Sequence, residues 1–260
     1  MNFAILEKEM EKVAACCKGR IAFVIETGNA RIERNGEGKF SSASLIKIPI
    51  LIEGFRQNDK GLLDFQEEIT VLPKDRVDGA GVLQALSADL KIKIIDLMAL
   101  MMVVSDNIAT NLLIERLGKS EINKCMKEIK LKWTELNRKM MDFEAINNGI
   151  DNWTTAYDMV TCLKVIDQQT FLSKESSLKA FSIMEKQQFK KLFDTIDLED
   201  LQVASKSGEL PGVEHDCAII RYGDRTIYSA VLIDQLKTPY EGKQILSQIG
   251  KLILRYIVNG

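Results

Sequence analysis

The 260-residue chain predicts an α+β fold: an antiparallel sheet built from both chain ends, flanked by the terminal helices, with an inserted all-helical domain. Three observations predict it. Amphipathic helical patterns stand at both termini. Strand-like runs follow the first helix and precede the last. Nearly everything between them reads as helix and loop. Strands from both ends then pair in one sheet, and the terminal helices cover a face of it. The expected division is a sheet domain of residues 1–43 and 194–260 and a helical domain of residues 44–193. An active site is expected between the two, a common location for pockets.

Phe3, Leu6, Met10, Val13, Ala14 and Cys17 recur at helical spacing and predict a helix over 2–17, with Gly19 as its stop. Arg20 to Glu26 and Ala30 to Arg34 read as a hairpin about Thr27-Gly28-Asn29. Ser44 opens a helix whose apolar run is Ile46 to Phe55, with Pro49 just inside it. Ile94 to Val104 is apolar almost all round, which predicts a helix buried in a bundle, with Met98, Met101 and Met102 as core. Trp133 and Trp153 are expected to pack a loop onto the body. Gln202 to Ser207, His215 to Tyr222 and Arg225 to Ile233 are strand-like, with Gly223-Asp224 marking the last hairpin. Ile245, Leu246, Ile249, Leu252, Ile253, Tyr256 and Ile257 form the closing amphipathic helix.

Composition narrows the function classes. Apolar residues are 46% and charged residues 28%, ordinary for a soluble globular protein. A net charge of −2 gives no basic footprint for nucleic acid. The most apolar stretch, Leu97 to Val104, is far too short to span a bilayer, so no membrane partner is expected. Cys16, Cys17, Cys125, Cys162 and Cys217 are odd in number and lack metal-ligand spacing. They read as reduced thiols in a reducing compartment. The N-terminus lacks the pattern of a signal peptide. The chain as it stands is therefore expected to be cytoplasmic, or secreted if a leader has been removed. A monomer is expected.

The chemistry gathers on Phe40-Ser-Ser-Ala-Ser44-Leu-Ile-Lys47. A serine and a lysine three apart at a helix start share one face. At the helix N-terminus the Ser44 hydroxyl also meets the positive end of the dipole. A serine needs a base beside it to become a nucleophile, and Lys47 is placed to be that base. The chain has one histidine, His215, so a Ser-His-Asp enzyme would have to use it, and a His-rich metal site is excluded. Taken alone, the Ser44/Lys47 pair also fits a helix cap and a surface lysine. His215 fits both hydrogen-bonded scaffolding and a substrate contact. Asp106 fits a backbone cap.

Two further motifs follow. Ser105-Asp106-Asn107 ends the buried helix, and Lys206-Ser207-Gly208 ends the first late strand. The three stand in order, about sixty and then about a hundred residues apart, and the set resembles the class A β-lactamases among the serine penicillin-recognising enzymes. The continuation Ile-Ala-Thr-Asn111-Leu-Leu, closed by Leu117-Gly118, is similar to that family too. The resemblance implies Ser44 as nucleophile and Lys47 as its base or proton relay. It implies Ser105 as the proton donor to the departing nitrogen, held by Lys206, which also faces the substrate carboxylate. Asn107 would bind the substrate amide and Lys47. Ser207 would stand for the usual threonine. The backbone N–H groups of Ser44 and of Glu209, which follows Gly208, would form the oxyanion hole. No metal or organic cofactor is implied. Independently of the family, two lysines beside one serine lower each other's pKa and favour a neutral base.

The family's deacylation loop is only partly kept. Thr134-Glu-Leu136-Asn-Arg138 matches its start and Thr154-Thr155 its end. In that register Met140 occupies the place of the water-activating glutamate, and Glu144 falls where a water-holding asparagine stands. A second register, on Trp133-Thr-Glu135-Leu136-Asn137, needs a shorter motif and a longer loop. Glu144 is expected to activate the hydrolytic water, or else to be a solvated loop residue. The implied function is a serine hydrolase opening β-lactam amides through a Ser44 acyl-enzyme, hence antibiotic resistance. A D-alanyl-D-alanine peptidase, penicillin-binding protein or esterase with slow deacylation is the alternative, and an acylated β-lactam sensor is another. The expected partner is a small β-lactam or related amide or ester.

Overall fold

The computed structural model describes residues 1–193 and 198–259, so the expected domain boundary at 194 lies outside the described residues. Helix α1 (Phe3–Ala15) starts at Asn2, whose side chain accepts the Ile5 N–H, and buries Leu6, Met10 and Ala14 at fourfold spacing. It leads into the hairpin β1 (Arg20–Thr27) and β2 (Ala30–Arg34), turned at Gly28 with φ +53°. A short strand β3 (Phe40–Ser41) and a 3₁₀ turn (Ala43–Ile46) precede α2 (Lys47–Asp59). Then come β4 (Glu68–Val71), β5 (Leu90–Lys93), α3 (Ile94–Val103), α4 (Asn107–Leu117), α5 (Lys119–Glu128), α6 (Phe143–Asn147) and β6 (Trp153–Thr154). Helices α7 (Ala156–Asp167) and α8 (Lys174–Glu185) lead to β7 (Gln202–Leu210), β8 (Val213–Tyr222), β9 (Arg225–Asp234) and α9 (Pro239–Asn259).

The main sheet has the order β2-β1-β9-β8-β7, antiparallel throughout. Strands from both chain ends therefore meet at the β1–β9 pair. Side chains alternate across the sheet. Phe23 and Ile25 of β1 join Leu6 and Met10 of α1 and Leu246, Ile249 and Ile253 of α9. Ala22 and Val24 face the other way, into the larger core with α2, α3, α4 and α7. Strand β7 forms the sheet edge nearest the 3₁₀ turn, and Gly208 packs there against Ala43 and Leu45. Among the described residues no helix is long and apolar enough to cross a membrane.

Four local expectations are corrected. The middle of the chain is not helix and loop alone: β4 pairs with β5, and β6 pairs with β3. Strand β7 does not end at Ser207, because Gly208, Glu209 and Leu210 continue its ladder opposite His215, Glu214 and Val213. Ser105-Asp106-Asn107 does not close α3 so much as open α4, since the Asp106 carboxylate caps it by accepting the Ala109 N–H. Trp133 does not pack the loop; it is 46% exposed.

Candidate active site

The sequence delivers Ser44 and Lys47 on a tight turn. Ala43, a non-glycine residue, is held at φ +45°. Such a conformation costs about 1–3 kcal/mol and survives only where surrounding packing enforces it. Here the turn is wedged against β7. A Cβ on Gly208 would stand 3.1 Å from Ala43 Cβ and 3.3 Å from Ser44 N. A side chain at 208 would press on the turn, which would have to give by a few tenths of an ångström.

Lys47 is fully buried at the start of α2. Its Nζ lies 3.0 Å from Ser44 Oγ, 3.0 Å from Ser105 Oγ, 2.8 Å from Ser105 O and 3.0 Å from Asn107 Oδ1. Ser105 Oγ donates to Ser44 Oγ at 3.0 Å. Lys206, also fully buried, donates to Ser105 Oγ at 3.1 Å and to Ser207 O at 2.8 Å. Ser44, Lys47 and Ser105 thus form a closed triangle, and Ser105 bridges both lysines. Burial, reinforced by the charge of Lys206 and opposed by Asp106, holds Lys47 well below the usual lysine range. Burial pushes Lys206 down to about 7. An ammonium has no acceptor; a neutral amine here has a lone pair within reach of the Ser44 proton.

The structure brings Ser44, Lys47, Ser105, Asn107, Lys206, Ser207, Gly208 and Glu209 together. It does not bring Glu144 to them. That side chain is exposed on α6, while Met140 lines the cleft beside Ser44 and Asn107. The Met140 backbone is clamped there by Asn111, whose Oδ1 accepts its N–H at 2.7 Å and whose Nδ2 donates to its carbonyl at 3.1 Å. Glu135, the carboxylate of the second register, is exposed too, its backbone paired with Trp153. The loop closes at its base through Thr134 and Thr154, whose hydroxyls are 2.9 Å apart, and through the Arg138–Asp151 ion pair at 2.8 Å.

His215 and Asp106 take the scaffold roles. The His215 Nδ1 accepts the Ile233 N–H and its Nε2 faces Ser41 O, so Nε2 carries the proton; burial lowers its pKa to about 4. Asp106 accepts the N–H groups of Val82 and Leu83 as well as Ala109. That draws a segment about Gly79, Ala80 and Gly81 over the cleft. A Cβ on Gly81 would stand 2.3 Å from Asp106 Cγ, so the Gly-Ala-Gly run was the available sequence signal for this wall. Gln187 carried no such signal, yet its Nε2 donates to Ser207 Oγ at 3.1 Å. Lys191 was missed as well. Its Nζ donates to Glu209 at 3.0 Å and pairs closely with buried Glu214, so one cation offsets part of the acidic charge beside the site. Among the described residues no three His, Cys, Asp or Glu side chains group as metal ligands.

The chain resembles known proteins along nearly its full length. The model described as "Beta-lactamase enzyme family" matches residues 5–257. The β-lactamase from Sphaerobacter thermophilus DSM 20745 is 27% identical, with a TM-score of 0.89 over 98% of this chain and 97% of that one. PBP-A is 24% identical, with a TM-score of 0.88 over 97% and 96%. The TLA-1 extended spectrum β-lactamase is 18% identical and superimposes with a TM-score of 0.89 over 100% of both chains. No curated protein matches significantly. The family match leaves only a few terminal residues outside it, and the chain belongs to the beta-lactamase enzyme family, a hydrolase on an α+β fold.

Proposed function

We propose that this protein opens β-lactam amides through an acyl-enzyme on Ser44 and releases the acyl group slowly. The observation that carries this reading is the triangle of Ser44, Lys47 and Ser105, each edge near 3.0 Å. Neutral Lys47 takes the Ser44 proton as the oxygen attacks the amide carbon. The oxyanion is held by the backbone N–H groups of Ser44 and Glu209, each donor worth about 3–4 kcal/mol. As the C–N bond breaks, Ser105 gives its proton to the nitrogen and is reprotonated through Lys47 or Lys206. The charge of Lys206 and the hydroxyl of Ser207 meet the substrate carboxylate.

Slow release follows from what surrounds the ester once formed. From the loop, Met140, Met141, Phe143 and Ile146 line the cleft shared with Ser44, none of them carrying a basic group, Arg138 is held by Asp151, and Glu144 is turned to solvent. A protein of the same fold, a point mutant of PBP-A, has been captured as an acyl-enzyme complex with penicillin G. The test is intact-protein mass spectrometry after mixing with benzylpenicillin. A one-to-one adduct is expected that persists for minutes or longer, is absent in Ser44→Ala, and decays at the same rate in Glu144→Gln. Absence of any adduct sinks the Ser44 reading. Rapid return to free protein, slowed by Glu144→Gln, would instead restore Glu144 as the water-activating group and make the protein an efficient β-lactamase.

A further inference from the structure

Gln187 stands just beyond α8 and is 3% exposed. Its segment is fixed to the helical core: the Gln187 N–H donates to the Met184 carbonyl at 3.2 Å, and the Gln188 N–H to the Val103 carbonyl at 3.0 Å. The side-chain amide of Gln187 has two partners. Its Oε1 accepts the Phe189 N–H at 2.7 Å, and its Nε2 donates to Ser207 Oγ at 3.1 Å. The first bond decides the second. A backbone N–H can only donate, so the amide atom against it is the oxygen, and the atom turned to Ser207 is the nitrogen. An amide NH₂ offers no lone pair, so the Ser207 hydroxyl accepts from Gln187 and cannot donate back to it. Its single proton must point elsewhere, and among the described residues no protein group accepts it. That hydroxyl lines the cleft together with Ser44 and Ser105.

We propose that Gln187 is a positioning residue: it fixes Ser207 as a hydrogen-bond donor into the cleft, and so makes the site select an anionic acceptor over a neutral one at that point of the substrate. This rests on the reading of Ser44 as the nucleophile and of Ser207 as a carboxylate contact. Because the amide holds the hydroxyl by its oxygen, the proton faces the cleft before a substrate arrives, and no bond within the protein is broken when the carboxylate binds. A hydrogen bond to a charged acceptor is worth a factor of about ten or more. Gln187→Glu keeps the shape of the side chain, and one carboxylate oxygen can still accept the Phe189 N–H. The other oxygen would accept the Ser207 proton, turning the hydroxyl round so that only its lone pairs meet the cleft.

The test compares benzylpenicillin with its methyl ester, which lacks the carboxylate charge. Second-order rates of adduct formation on the full chain are read by intact-protein mass. The acid-to-ester ratio of those rates does not depend on the fraction of protein folded. Gln187→Glu should lower the ratio at least about tenfold. Gln187→Met, which has no N–H to hold the hydroxyl, should lower it by a smaller factor. Made on Ser207→Ala, the Gln187→Glu change should lower the ratio by less than about threefold, because the hydroxyl through which it acts is gone. That arm separates orientation from the added charge, which reaches Lys206 with or without Ser207. A fall in Gln187→Met alone also supports the proposal, with the new carboxyl group of the other variant protonated and donating in place of the amide. A ratio unmoved in both variants, or lowered equally by Gln187→Glu in both backgrounds, overturns the proposal and leaves the Ser44 nucleophile standing. No adduct from either compound on the unaltered protein overturns both.

Discussion

Lys47 and Lys206 are two buried ammonium sites joined by one serine, and the two have opposite requirements. In the proposed chemistry Lys47 must be neutral to take a proton, and Lys206 must be charged to hold a carboxylate. Lys47 sits below the usual lysine range because it is buried beside Lys206, so acylation should rise as pH rises through its lowered pKa. Lys206 loses its proton near about 7, so binding of an anionic substrate should weaken above that value. The acylation rate of a penicillin should therefore be bell-shaped in pH. A neutral ester acyl donor has no carboxylate to lose, and its profile should keep the rising limb and lack the falling one. A falling limb of the same pH and depth with the neutral ester would remove Lys206 from carboxylate binding and assign the loss to Ser105 or to the fold. At this scale the site was largely legible in the sequence. Ser44, Lys47, Ser105, Asn107, Lys206, Ser207 and Gly208 lie in three short motifs whose set resembles that of the class A β-lactamases, and helix geometry by itself paired only Ser44 with Lys47. Gln187 and Lys191 were not legible, because they reach the site from an irregular segment with no periodicity to place them.

On the proposed reading, the element that decides turnover is the loop from Thr134 to Thr155. Asn152 organises it: its Oδ1 accepts the N–H groups of Asn137 and Arg138, and its Nδ2 donates to the Arg138 carbonyl. Asp158 of α7 accepts from the backbone of Lys132 and Trp133 and from the Thr134 hydroxyl. These bonds, and the clamp of Asn111 on Met140, link residues far apart in sequence. They decide which side chain faces Ser44, and that is why Glu144 could not be excluded from local pattern. Strands β4 and β5 were hidden for the same reason, being paired across some twenty residues of turns, whereas the terminal helices and β7 to β9 announced themselves by local period. Because the backbone at 140 is held through Asn111 and not through its own side chain, Met140→Glu should keep the loop in place. A carboxylate would then stand beside the acyl ester as a general base, an effect worth about a hundredfold or more. The adduct lifetime should shorten by at least about tenfold, at a stability cost of about 1–3 kcal/mol for burying a polar group. An unchanged lifetime in a variant that melts cooperatively would show that Met140 does not control release.

At the scale of the whole molecule, one strand joins the parts of the site. Strand β8 carries His215 and Asp216 side by side on opposite faces of the sheet. His215 bonds to Ser41 O, just ahead of the nucleophile turn, and Asp216 accepts the N–H groups of Lys191 and Leu192, at 2.8 and 2.9 Å, on the far wall of the cleft. Both are fully buried, and burial moves them in opposite senses: His215 down to about 4 from 6.5, Asp216 up to about 6 from 3.8. A base with a lowered folded pKa contributes its full stability above the unfolded value, and that contribution is lost as pH falls from 6.5 through 4. An acid with a raised folded pKa contributes fully below its unfolded value, and that contribution is lost as pH rises through 6. Each shift is worth about 3 kcal/mol, so between roughly pH 4 and 6 the two changes offset each other. Wild-type stability should be nearly flat across that window as far as this pair is concerned. Asp216→Asn keeps an oxygen to accept the two N–H groups and removes the titration. Its melting temperature should exceed that of wild type at about pH 8, where the buried carboxylate is ionised, and should fall on acidification from about pH 7 to 4, where the wild type stays level. Parallel melting curves for the two proteins across that range would mean that Asp216 carries its charge in the folded state at no cost, and that Lys191 and Lys206 compensate it fully.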